Sequence, residues 1–124
     1  MSMSTIVTKI NLLSAALFYL EGHVARLQAT RDTAFLRLDQ LRSAQRDAHE
    51  YGHRWEGPAP EALEAALVNY RDARLDLEEA QREQARFLGD LNEARAQLQT
   101  RRLAHKRAQR NQPLKGRPFA ALLG

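Results

Sequence analysis

Gly57-Pro58-Ala59-Pro60 interrupts an otherwise continuous heptad pattern, and what stands on each side of it decides the fold. Before the break, apolar residues fall at Ile6, Ile10, Leu13, Leu17, Leu20, Val24, Leu27, Ala34, Leu38, Leu41 and Ala48. After it, Leu63, Ala66, Tyr70, Ala73, Leu77, Ala80, Phe87, Leu91, Ala94 and Leu98 continue the pattern. Alternating steps of four and three hold one apolar stripe on one side of a helix, which is the seam of a coiled coil. Two prolines that close together end a helix, because each lacks an amide donor and clashes with the preceding turn. The sequence therefore predicts an all-α fold, a long antiparallel two-helix hairpin over residues 1–112. Helix one is expected over about 5–53 with Ser4 as its cap, the turn over 54–60, and helix two over about 60–111. Proline is tolerated at the first position of helix two, and Glu61 and Glu64 suit the positive end of its dipole. A basic, then apolar, tail occupies 113–124.

Centring the turn on Ala59 opposes positions whose numbers sum to about 118. Leu41 then meets Leu77, Leu27 meets Leu91, Leu20 meets Leu98, and Arg31 falls beside Phe87. Large residues often face small ones in this register, which helps close packing. Arg31, Gln45 and Gln84 are polar seam positions that weaken the core but help fix alignment.

At 124 residues, 44% hydrophobic but only 6% aromatic, the chain suits one coiled-coil domain better than a compact globule. A hairpin of this shape buries little core for its length. There is no cysteine, which excludes a disulfide frame and a thiolate metal site. Seven of the nineteen Lys and Arg lie in 101–124, which holds no acid; the other hundred residues carry twelve bases against fifteen acids. The basicity belongs to the C-terminal end and not to the hairpin body. Ile6–Leu20 is apolar but contains Lys9 and Asn11 and lacks a basic leader, so neither a signal peptide nor a membrane span is expected. The expected location is the cytoplasm, with export without a cleaved signal as the alternative.

Val7, Leu12, Phe18 and Tyr19 lie off the seam. A two-helix hairpin leaves such a face wet, so it should be covered by a protein partner, by a second copy, or by Phe119, Leu122 and Leu123 of the tail.

His49-Glu50-Tyr51-Gly52-His53 resembles the H-E-x-x-H motif of zinc metallopeptidases, whose two histidines share a helix face. Glu56, Glu61 or Glu64 could add a ligand, but no strand pattern shapes a cleft. The segment reads instead as a solvated polar face, with no catalytic residue, metal or cofactor expected; a small zinc hydrolase is the distant alternative. Trp55-Glu56-Gly57 at the hairpin tip resembles the small Trp-X-Gly family of type VII secretion substrates, and Glu61-Ala62-Leu63 and Tyr70 are similar to that family's second helix. The resemblance implies that Trp55 and Gly57 help form a composite surface in a dimer; Trp55 also reads simply as an aromatic plug closing the hairpin. Over 5–112 the chain also resembles, in shape and composition, the stalk proteins of flagellar and type III export systems. Those are Arg-rich antiparallel coiled coils whose free ends insert into a hexameric ATPase ring. The resemblance implies Ile6–Leu20 and Leu98–Arg110 as the inserted tip.

Lys115-Gly116-Arg117-Pro118 resembles the core of an AT-hook, which lies in a narrow minor groove. Arg101, Arg102, Lys106, Arg107 and Arg110 precede it and could contact phosphates. The expected function is that of a non-enzymatic coiled-coil interaction or adaptor protein in, or helping, a bacterial protein secretion system. A nucleic-acid-associated or phage structural hairpin is the competing class.

Overall fold

A computed structural model describes residues 2–51 and 56–111. The chain is all-α: α1 spans Met3–Tyr51 and α2 spans Pro60–Arg110, packed against each other as an antiparallel hairpin. With 49 and 51 residues, each helix is about 75 Å long.

The cap of α1 is Ser2 and not Ser4. The Ser2 Oγ accepts the Thr5 amide at 3.1 Å, and its carbonyl accepts the Ile6 amide at 3.1 Å. Ser4 already lies inside the first turn, where its carbonyl accepts the Thr8 hydroxyl at 3.0 Å. At the start of α2, Pro60 occupies a position that needs no amide donor. The Ala59 carbonyl there accepts the amides of Ala62 at 3.0 Å and Leu63 at 3.3 Å. No side chain caps this end, and Glu61 is the acid in its first turn.

The core consists of three clusters along the seam. Leu13 packs with Leu91 and Ala94, joined by Ile10, Leu17 and Phe87. Val24 packs with Leu77 and Ala80, joined by Leu27. Leu38 and Leu41 pack with Ala66, joined by Leu63, Leu67 and Tyr70. Facing residues such as 13 and 91, 24 and 80, or 38 and 66 have numbers that sum to 104. The register centred on Ala59 is therefore wrong by two heptads: Leu27 meets Leu77 and not Leu91, and Leu41 meets Leu63 and not Leu77. Arg31 does not reach Phe87. Its guanidinium binds Asp32 at 2.9 Å, and the cation over the Phe87 ring is Arg86 at 5.4 Å.

A heptad repeats itself every seven residues, so any slip of that size still sets apolar against apolar. The turn breaks the tie. Glu56–Ala59 is not helical, and Gly57 already lies against Ala48 and Gln45 of α1. The chain has reversed before it reaches the prolines, which form a return segment and not the apex.

Large-to-small matching holds in the observed register: Leu38 faces Ala66, Ala34 faces Tyr70, and Val24 faces Ala80. Between the second and third clusters the seam thins to small residues. Ala34, Ala66 and Ala73 line a groove of about 650 Å³ there, bordered by Thr30, Asn69 and Asp76.

Candidate functional site

The first third of α1 offers the seam one stripe, Ile6, Ile10, Leu13, Leu17 and Leu20. Each residue turns a helix by about 100°, so Phe18 and Tyr19, following Leu17, face away from α2. Leu12 is 67% exposed, Phe18 80% and Tyr19 66%. Val7 sits nearer the seam edge at 37%. This outward face carries no charge: Ser4, Thr8, Leu12, Ala15, Phe18, Tyr19 and Gly22. Thr8 gives its hydroxyl to the Ser4 carbonyl, so it presents chiefly a methyl group. Tyr19 stacks on His23 one turn later, with ring centroids 6.2 Å apart.

The same end of the rod is strongly basic. Ile6 faces Leu98, so α2 runs past the start of α1, and every residue from Arg101 to Arg110 is exposed. Arg101 and Arg102 lie opposite the start of α1, and Lys106, Arg107 and Arg110 project from the overhang beyond it. The ion pairs among the described residues, Arg31 with Asp32 and Arg74 with Glu78, lie elsewhere. Farther along, Asp76, Glu79 and Glu83 line a shallow groove with His23 and Leu27. Charge is thus distributed along the rod: a cationic end, then a carboxylate-lined flank.

The structure brings Val7, Leu12, Phe18 and Tyr19 to the rod end that bears Arg101, Arg102, Lys106, Arg107 and Arg110. Trp55, Lys115, Arg117, Phe119, Leu122 and Leu123 lie outside the described residues. His49 and Glu50 are exposed in the last turn of α1, and Gly52 and His53 lie outside the described residues. Among the described residues no group of three or more His, Asp or Glu side chains could hold a metal ion.

Four further exposed apolar residues escaped the sequence reading. Phe35, Leu36, Val68 and Leu75 are all exposed. Phe35 tilts against Tyr70 at 5.6 Å, beside the cluster that holds Leu67. The signal was present: Phe35 and Leu36 follow the seam residue Ala34, and Val68 and Leu75 share one heptad position.

Comparison with protein-family models, with curated proteins and with solved structures returned no match to the chain.

Proposed function

We propose that this protein is a non-enzymatic coiled-coil interaction protein of a bacterial secretion apparatus, working in the cytoplasm as a rigid rod that other proteins grip. The observation that carries the reading is a buried seam combined with exposed apolar side chains. The three clusters around Leu13 and Leu91, Val24 and Leu77, and Leu38 and Ala66 are buried between the two helices. Phe35, Leu36, Val68 and Leu75 are left over and provide contact area for a partner or a second copy. Two helices of about fifty residues with their outer ends together also suit a stalk of the type III export kind.

The test is a deletion in the native host, scored for export of secreted proteins and complemented with a Phe35→Ser/Leu75→Ser variant. Loss of export on deletion, with failed rescue by the variant, is the expected result. Undiminished export in the deletion strain would remove the secretion role.

The competing reading, a nucleic-acid-associated hairpin, draws on the acid-free basic overhang of α2. It requires retention on duplex DNA that weakens steeply as salt rises.

A further inference from the structure

We infer that the end of the rod formed by the first five turns of α1 and the last four turns of α2 seats on an anionic lipid surface. Two features of this end coincide. The first is apolar and aromatic exposure. Leu12, Phe18 and Tyr19 point to solvent, with Met3 and Val7 on the same stretch. An 18-residue window of α1 is long and apolar enough to cross a membrane by length and composition, yet only 11% of it is buried. The second feature is positive charge concentrated on α2 beyond Glu93. Lys9 lies on this stretch of α1, and α2 carries Asp90 and Glu93 opposite it; beyond Glu93, residues 94–111 contain Arg95, Arg101, Arg102, Lys106, Arg107 and Arg110, and no Asp or Glu.

The pairing of features selects the occupant. A protein groove or a second copy would account for the apolar face but has no need of the cations that crowd α2 beyond Glu93. Nucleic acid would account for the cations but leaves Leu12, Phe18 and Tyr19 wet. A bilayer interface with acidic headgroups takes both: aromatic and aliphatic side chains enter the headgroup boundary, and Lys and Arg meet the phosphates. The overhang belongs to α2, whose axis lies about 8–10 Å behind that of α1; a surface that the outer face of α1 enters by about 5–10 Å brings the phosphates toward its Lys and Arg side chains. Tyr19 suits this depth, with an apolar ring and a polar tip.

The helix lies on the bilayer and does not cross it. The register sets Asp90 and Glu93 of α2 beside Ser14 and Asn11 of α1, so a crossing α1 would pull these carboxylates into hydrocarbon. With only the outward face of α1 engaged, α2 stays in water.

The test is flotation of the full chain with vesicles of phosphatidylcholine alone and of phosphatidylcholine mixed with phosphatidylglycerol, at low and high salt. Flotation with the mixed vesicles, lost on the neutral ones and reduced by salt, is expected. Phe18→Ser/Tyr19→Ser should lower vesicle affinity by roughly tenfold or more while circular dichroism stays helical. Lys106→Gln/Arg107→Gln should lower it by roughly fivefold per charge removed. Absence of flotation with the anionic vesicles overturns the inference, and so does flotation that survives the double Ser change. A dimer dissolved by Phe18→Ser/Tyr19→Ser without vesicle binding would assign the face to a second copy. Retention on duplex DNA without vesicle binding would assign the basic end to nucleic acid.

Discussion

Gly57 lies so close to Ala48 that a methyl group placed on it would sit 3.1 Å from the Ala48 Cβ, with the Gln45 Cα at 3.7 Å. The backbone leading into α2 therefore touches the last turns of α1 directly. This contact fixes where α2 begins relative to α1, and through it the partner of every seam residue up to Leu98. A side chain at 57 would press on Ala48 by a few tenths of an ångström, and the small alanine leaves room for the glycine.

Filling that contact should cost stability. Gly57→Val is expected to destabilise the hairpin by about 1–3 kcal/mol, the usual cost of overpacking. Ala48→Gly alone costs about 1 kcal/mol through helix propensity. In the Ala48→Gly background the valine should cost less, with a coupling of at least about 0.5 kcal/mol in thermal melts. Strict additivity would mean that the two residues do not touch.

The register can be read by crosslinking, since the chain contains no cysteine of its own. Cysteines replacing Leu27 and Leu77 should form a disulfide under mild oxidation, because facing seam positions bring the two Cα atoms near bonding distance. Cysteines at Leu27 and Leu91 should not. Leu91 lies fourteen residues beyond Leu77, about 21 Å along the helix. Efficient bonding of the second pair would restore the rejected alignment.

Neighbouring leucines on α2 provide a control for the seam. Leu77 is 2% exposed and packs with Val24, Leu27 and Ala80, whereas Leu75 is 53% exposed. Leu77→Ala should cost about 2–4 kcal/mol in denaturant unfolding, through lost burial and a residual cavity. Leu75→Ala should change stability by less than about 0.5 kcal/mol. Equal costs would place Leu75 in a buried interface, as it would be if the rod is dimeric.

The heptad positions alone make the hairpin and its seam legible, because a stripe of Ile, Leu and Ala with this period has few other uses. Leu38, Leu77 and Leu91 were all named as seam residues, and all are buried. Pairing was not legible, since the same repeat fits itself at every seventh residue and the choice rests on how Glu56–Ala59 folds back. Gly57-Pro58-Ala59-Pro60 read as an apex because Pro and Gly mark turns, but proline also suits an extended return strand. The outward position of Phe18 and Tyr19 followed from the 100° step of a helix. Phe35, Leu36, Val68 and Leu75 were missed because single exposed apolar residues off a seam read as ordinary surface scatter.

The basic overhang should be the least protected part of α2. Its last residues, from about Ala104 onward, have no α1 residue opposite them in the observed register, and all are exposed. A short single helix gains little from propensity alone, and stability in water comes chiefly from packing. Its like charges add repulsion: Arg107 follows Leu103, but Lys106 follows Arg102, and Arg110 follows Lys106, at the i and i+4 positions that face each other on a helix. Hydrogen exchange should therefore show amides of 104–110 exchanging orders of magnitude faster than those between Ala73 and Leu98, whose turns carry buried Leu and Ala. Adding anionic vesicles should slow exchange in the overhang and at the start of α1 while leaving the middle of the rod unchanged. Uniform protection along α2 in the free protein would mean that the overhang is already packed against something, and would place a second copy or the C-terminal residues upon it.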